Sequence, residues 1–201
     1  MELRDLIYEG PPIDDQDLLS RLPSAYRQLL EQINGFIQFY GGLHIRGVCS
    51  EPAWHSLAEV WFGDHSFSTF YPSIRSDDIP FGQDVLGDQF LLRSEIVYHL
   101  SSETGVLQSC GCDLIEFLER ANNDPVDYLS LQPMLQFYTE GGILTPGQLL
   151  NVYPPFCTKE AADGVSLHAL ATLDRIRFLA NLAQQLATIS DGAQVQFKVE
   201  S

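Results

Sequence analysis

The chain has 201 residues, 45% of them apolar and 19% charged, a mixture that folds around a core and does not stay disordered. Its 11 Lys and Arg face 27 Asp and Glu, giving a net charge of −16 at pH 7 with histidine neutral. That excess repels phosphate backbones and anionic lipid, which argues against nucleic-acid and membrane partners; it reads either as plain solubility or as a field that steers in a basic protein.

The opening residues Met1 to Leu6 lack a basic stretch leading into an apolar run, so no secretory signal is expected. The longest apolar stretches fall short of the roughly 20 residues that span a bilayer. Without a signal, Cys49, Cys110, Cys112 and Cys157 read as reduced thiols in a cytoplasmic protein.

Along the chain, Gly10-Pro11-Pro12 breaks any early helix, and the acidic Asp14 to Asp17 leads into a short helical turn at Leu18 and Leu19. Leu22-Pro23-Ser24 then opens a helix whose Tyr26, Leu29, Leu30 and Ile33 fall on one stripe. Asn34-Gly35 supplies residues that tolerate the left-handed conformation at its end. The β-rich runs Phe36–Tyr40 and Leu43–Val48 flank Gly41-Gly42, a pattern that suits a tight hairpin or bulged bend. Pro52 to Phe62 reads as a short helix, and 63–78 as irregular with a strand at Ser68–Tyr71.

From Ile79 the pattern predicts a meander: a strand entering Gln83 to Asp88, strands at Gln89–Arg93 and Glu95–Leu100, a turn at 101–105, and a strand from Val106 to Ser109. Cys112 to Ala121 turns helical, with Leu114, Ile115, Phe117, Leu118 and Ala121 on one side. Asp124-Pro125 caps another short helix through Tyr128. Thr145-Pro146-Gly147 and Tyr153 to Phe156 are loop-like. Ala169 to Ile189 gives the longest helix, and Ala193, Val195, Phe197 and Val199 alternate as a half-buried final strand.

Two stretches together resemble the SUKH superfamily, which includes a yeast cell-wall regulator and many bacterial proteins. One is Leu22 to Leu30 ending in Asn34-Gly35. The other is Ile79-Pro80-Phe81-Gly82 followed by Gly87 to Leu92, a strand, an acidic turn and the helix from Asp113 to Leu118. The resemblance covers roughly residues 20–130 and implies a single α+β domain over 1–201. Its sheet is one mostly antiparallel layer with flanking helices, and 131–201 form a C-terminal helix and strand extension. It also implies no catalytic residues, no cofactor, and the role common among bacterial members: an immunity protein that binds and neutralises a toxin, often a nuclease. A regulatory scaffold of the same fold without a toxin partner is the alternative, and a hydrolase the third.

Candidate partner-binding residues are Trp61, Phe62 and Asp64, in the most aromatic part of the chain, together with Asp77, Asp78 and Asp84. These acids flank Ile79–Gly82 and read either as a toxin-facing patch or as solvated surface. A Ca²⁺ loop is disfavoured because the alternating ligand order is missing. Gly87 and Asp88 read as a structural turn in which the carboxylate bonds the turn's own backbone. Cys110-Gly111-Cys112 has one intervening residue where zinc sites usually have two to four, so no metal is expected. The five scattered histidines form no H-x-x-x-H pair, and no nucleophile elbow, P-loop or dinucleotide fingerprint occurs. A triad assembled only in three dimensions stays open.

Overall fold

The structure is a computed structural model, described here for residues 3–63 and 66–189. Asp15 caps the first short helix, α1 (Gln16–Ser20), accepting from Leu18 N at 2.8 Å. Helix α2 (Ser24–Gln32) starts after Pro23, which fixes φ where no N–H partner is needed. It buries Tyr26 and Leu30, while Leu29 and Ile33 pack at the margin. The chain then turns at Gly35, at φ +75°, where an added Cβ would lie 2.6 Å from Ile45 O. Only glycine fits both the conformation and the contact. Asn34 is not a simple helix end. It is buried and cross-links three segments: Nδ2 donates to Pro11 O and Val48 O, and Oδ1 accepts from Val48 N.

Seven antiparallel strands form one sheet whose spatial order follows chain order: β1 (Tyr8–Glu9), β2 (Phe36–Gln38), β3 (Leu43–Ile45), β4 (Ile79–Asp84), β5 (Gln89–Arg93), β6 (Ile96–Ser101) and β7 (Val106–Ser109). Both faces are covered, so the central strands are buried on both sides, β4 along its whole length, polar residues included. Pleating sorts neighbours to opposite sides. Phe90, Leu92 and Val97 join Tyr26 and Leu30 of α2 and Phe117 and Leu118 of α5 (Leu114–Asn123). Leu91 and Leu100 point the other way, into Val60, Phe67 and Tyr71 and into Ile176, Ala180 and Ala183 of α8 (Thr172–Leu186). Two helical layers thus sandwich the sheet.

The expected α+β class holds, with differences in detail. Strand β2 stops short because Phe39–Gly41 forms a 3₁₀ turn after it, and β3 ends at Ile45, before the expected Val48. The helix expected from Pro52 spans only Leu57–Trp61 (α3), capped by Ser56. Where a strand was expected at Ser68–Tyr71, the chain is helical (α4, Phe67–Phe70). Its aromatics are the cause: Phe67 and Tyr71, four residues apart, are both buried against the second core, and one helical turn puts them on one side. Helix α5 begins after Asp113, whose Oδ1 accepts from Glu116 N, and it leaves Ile115 exposed. Asp124 and Pro125 open α6 (Pro125–Tyr128) as expected.

The stretch after Leu131 is richer than the sequence suggests. Helix α7 (Gln132–Thr139) is followed by the hairpin of β8 (Gln148–Tyr153) and β9 (Ser166–Ala171), a second, two-stranded sheet. Ala169 to Ala171 belong to β9, so the long helix starts three residues later than expected. The hairpin joins the main body through Leu150 N donating to Val85 O at 2.8 Å. The final strand expected at 193–199 lies outside the described residues. No described helix is long and apolar enough to cross a membrane.

Candidate functional site

The loop joining β4 to β5 is built on Asp84. Its Oδ1 accepts from Leu86 N, Gly87 N and Asp88 N at 2.9, 2.9 and 3.0 Å. A carboxylate ahead of a turn sits beneath the turn's N–H groups as it would at a helix N-cap, and Gly87 takes the left-handed step at φ +97°. The role expected for Asp88 therefore belongs to Asp84. Asp88 reaches across instead: Oδ1 accepts from Ser102 N at 2.7 Å and Oδ2 pairs with His99 Nε2 at 3.1 Å. Beneath the loop, the buried Arg175 donates to Leu86 O and to Asn151 Oδ1.

This loop forms one wall of a cavity of ≈ 300 Å³, lined also by His99, Cys110, Phe117, Arg120 and Tyr128. Burial first, and then the charge of Asp88, push the Asp84 carboxyl upward, against the pull of His99 and of the backbone N–H groups. Burial lowers His99, but the hydrogen bond and charge of Asp88, with Asp84 behind it, outweigh that and leave its pKa raised. The cavity wall thus carries two carboxylates and an imidazole, of which Asp88 and His99 are hydrogen-bonded to each other and Asp84 to the loop's backbone. The sequence missed His99 because its partner lies eleven residues earlier, in the loop that leads into the neighbouring strand.

A second surface lies at the opposite end of the main sheet. Phe39 and Tyr40 both have φ +55°, a conformation that non-glycine residues seldom adopt. The bend holds Phe39 in the core at 4% exposure and leaves Tyr40 58% exposed. Tyr138 donates its hydroxyl to Tyr40 O, and Tyr40 N donates to the Asp5 carbonyl. Together with Ile7, Ile143, Leu144 and Pro146, the two tyrosines line an open groove of ≈ 330 Å³. Ile143 is 74% exposed. Acidic Asp5 and Glu140, both exposed, adjoin it in the chain or by hydrogen bond.

The residues singled out from sequence separate by burial. Trp61 is largely buried, donating Nε1 to Ser76 O at 3.0 Å, while Phe62 is exposed and stacks on it with ring centroids 4.3 Å apart. Arg21 lies over both rings, 5.0 Å from the Phe62 centroid. Asp77 is exposed, and Asp64 lies outside the described residues. Asp78 and Asp84 are corrections: both are buried, with no carboxylate face for a partner protein. Asp78 is committed to Arg93, at 2.6 and 2.7 Å, and to Arg75 N.

Between these surfaces the sheet carries a buried polar centre. Arg46 donates to Pro80 O, Gly82 O, Gln83 Oε1 and Gln89 Oε1, and its guanidinium lies 5.5 Å from the Phe67 ring. Burial lowers its pKa to about 9. Beside it, His44 stacks on His55. His55 Nε2 meets Asn34 O at 2.9 Å, so that nitrogen carries the proton and donates; His44 Nε2 then donates to His55 Nδ1 at 2.8 Å. Burial holds both imidazoles well down, His55 to about 4. All four cysteines are free thiols. Compared with protein-family models, curated proteins and solved structures, the chain matches none.

Proposed function

We propose that the chain is a non-enzymatic protein-binding domain, and specifically an immunity protein that occludes a basic toxin domain. The observation that carries this reading is the Phe39–Tyr40 bend. Two consecutive left-handed non-glycine residues persist only where surrounding structure holds them, and such strain gathers at binding sites. Here it buries one aromatic ring and presents the next beside Ile143 over an open apolar groove. An exposed aromatic and an aliphatic side chain flanking a groove are the anchors that protein interfaces use.

Charge supports the same reading. Among the described residues only Asp78, Asp84 and Glu103 of the acidic side chains are buried, so the excess of acid faces solvent. That field speeds capture of a basic partner more than it adds affinity. The SUKH resemblance supplies the specific role, and Phe62 and Asp77 would form a second, peripheral contact.

Affinity capture of the tagged chain from its host at low salt, then reconstitution with the protein recovered, tests the proposal. The expected result is a stoichiometric complex with a basic protein whose toxicity the chain suppresses in cells. Tyr40→Ala with Ile143→Ser weakens that complex at least tenfold. A partner without toxicity moves the reading to a regulatory scaffold, and a complex indifferent to both substitutions removes the groove from it.

A further inference from the structure

We propose that Asp84, Asp88 and His99 form a binding site for one divalent first-row transition-metal ion, facing the ≈ 300 Å³ cavity between the β4–β5 loop and α5. The proposal is independent of the toxin-binding reading and departs from the sequence expectation of no metal.

Three observations converge. One donor atom from each residue lies within 4.8 Å of the other two, close enough for a single ion to take all three with small side-chain rotations. Asp84 is only 5% exposed, and its two oxygens are used unequally. Three backbone N–H groups converge on Oδ1, and no described residue donates to Oδ2. The loop amides thus fix the carboxylate while its second oxygen is left for the cavity that Asp84 lines. Finally, Asp88 is oriented from behind by Ser102 N, leaving Oδ2 beside His99 Nε2. Ligands held this way by outer partners are the usual form of a protein metal site.

The donor set selects the ion. Calcium takes six to eight oxygens and magnesium retains most of its water, whereas an imidazole with two carboxylates suits zinc, manganese or iron(II). Binding displaces the proton shared by Asp88 and His99 and neutralises two carboxylates that otherwise repel each other. Three protein ligands leave positions open toward the cavity, where Arg120 and Tyr128 stand on the opposite wall. A water or a small anion would complete the sphere.

The test uses the full chain, stripped with chelator and titrated with Zn²⁺ alone by calorimetry and with Co²⁺ by absorption. The expected result is one ion per chain at micromolar affinity or tighter, with no thiolate-to-cobalt band. Asp84→Asn keeps the Oδ1 acceptor for the loop amides but removes the charge. It and His99→Gln should each weaken binding beyond the roughly 10–100-fold typical of losing an outer-shell partner. Should Asp84→Asn fail to fold, His99→Gln alone decides. A Cys110→Ser, Cys112→Ser double variant should bind as the parent does. Binding lost in that cysteine variant, binding unchanged in His99→Gln, or no saturable binding below millimolar Zn²⁺ each overturns the proposal.

Discussion

Arg46 Nη2, just past the end of β3, donates to Gln89 Oε1 on β5 at 2.7 Å, passing over β4, whose Pro80 and Gly82 carbonyls and Gln83 side chain the same guanidinium also holds. No carboxylate accepts from it among the described residues. The cation is solvated by fixed dipoles, which hold only if all of them stay in place.

Replacing Arg46 by Ala therefore strands several buried acceptors and opens a cavity. The expected loss is about 2–5 kcal/mol, from the acceptors left without a donor and from the cavity. Arg46→Lys also destabilises, by less, because one ammonium cannot reach acceptors on both β4 and β5. Urea denaturation of the three proteins checks the order.

Asp77 and Asp78 are adjacent but should differ sharply. Asp78→Ala removes the two carboxylate oxygens that Arg93 donates to and the partner of Arg75 N, and should cost about 2–3 kcal/mol given that Arg93 keeps its bond to Ser73 O and some water contact. Asp77→Ala, at an exposed position, should stay within about 0.5 kcal/mol. Equal effects in thermal or chemical denaturation would contradict the burial described here.

Gln38 is fully buried, and neither polar atom of its amide has a partner among the described residues. An apolar side chain of similar length removes that desolvation cost. Gln38→Met should raise stability by about 1–3 kcal/mol, read as a higher denaturation midpoint at an unchanged slope.

The histidine pair gives a pH dependence with a definite sign. Both folded-state pKa values lie below the ordinary 6.5, His55 at about 4. Between these values the unfolded chain binds protons that the folded chain refuses, so this contribution is complete above pH 6.5 and declines as pH falls toward 4. His99 and Asp84, both raised, act in the opposite sense. Proton NMR separates them: the His55 ring should remain neutral through pH 5, while His99 titrates above its ordinary value. A His55→Gln variant should show a flatter acid limb.

What the sequence conveyed depended on whether its signal was local. Helix α2, the meander from Ile79 to Ser109 and helix α5 each combine a period with a turn or cap residue, and all three are where the pattern puts them. Residues 67–70 misled because aromatic residues favour strands until two of them, four apart, find one core. The β8–β9 hairpin escaped notice because its strands are separated by a long loop and the second runs directly into α8. At the candidate metal site the acidic residues were legible, but the division of labour between Asp84 and Asp88 was not. It depends on which carboxylate lies under the turn and which points across to β6, and composition carries neither.

The matching of spatial to chain order in the main sheet has a kinetic consequence. From β4 to β7 every pairing closes over a four-residue or shorter connection (85–88, 94–95, 102–105), so that half can assemble from local contacts alone. Joining β3 to β4 requires closing residues 46–78, a far larger search. Arg46 opens that segment, Asp78 closes it, and both end in buried ionic or polar links to the meander. The slow encounter in folding is thus latched at both ends by groups that accept one geometry, and mispaired registers of β3 on β4 would leave a bare guanidinium in the core.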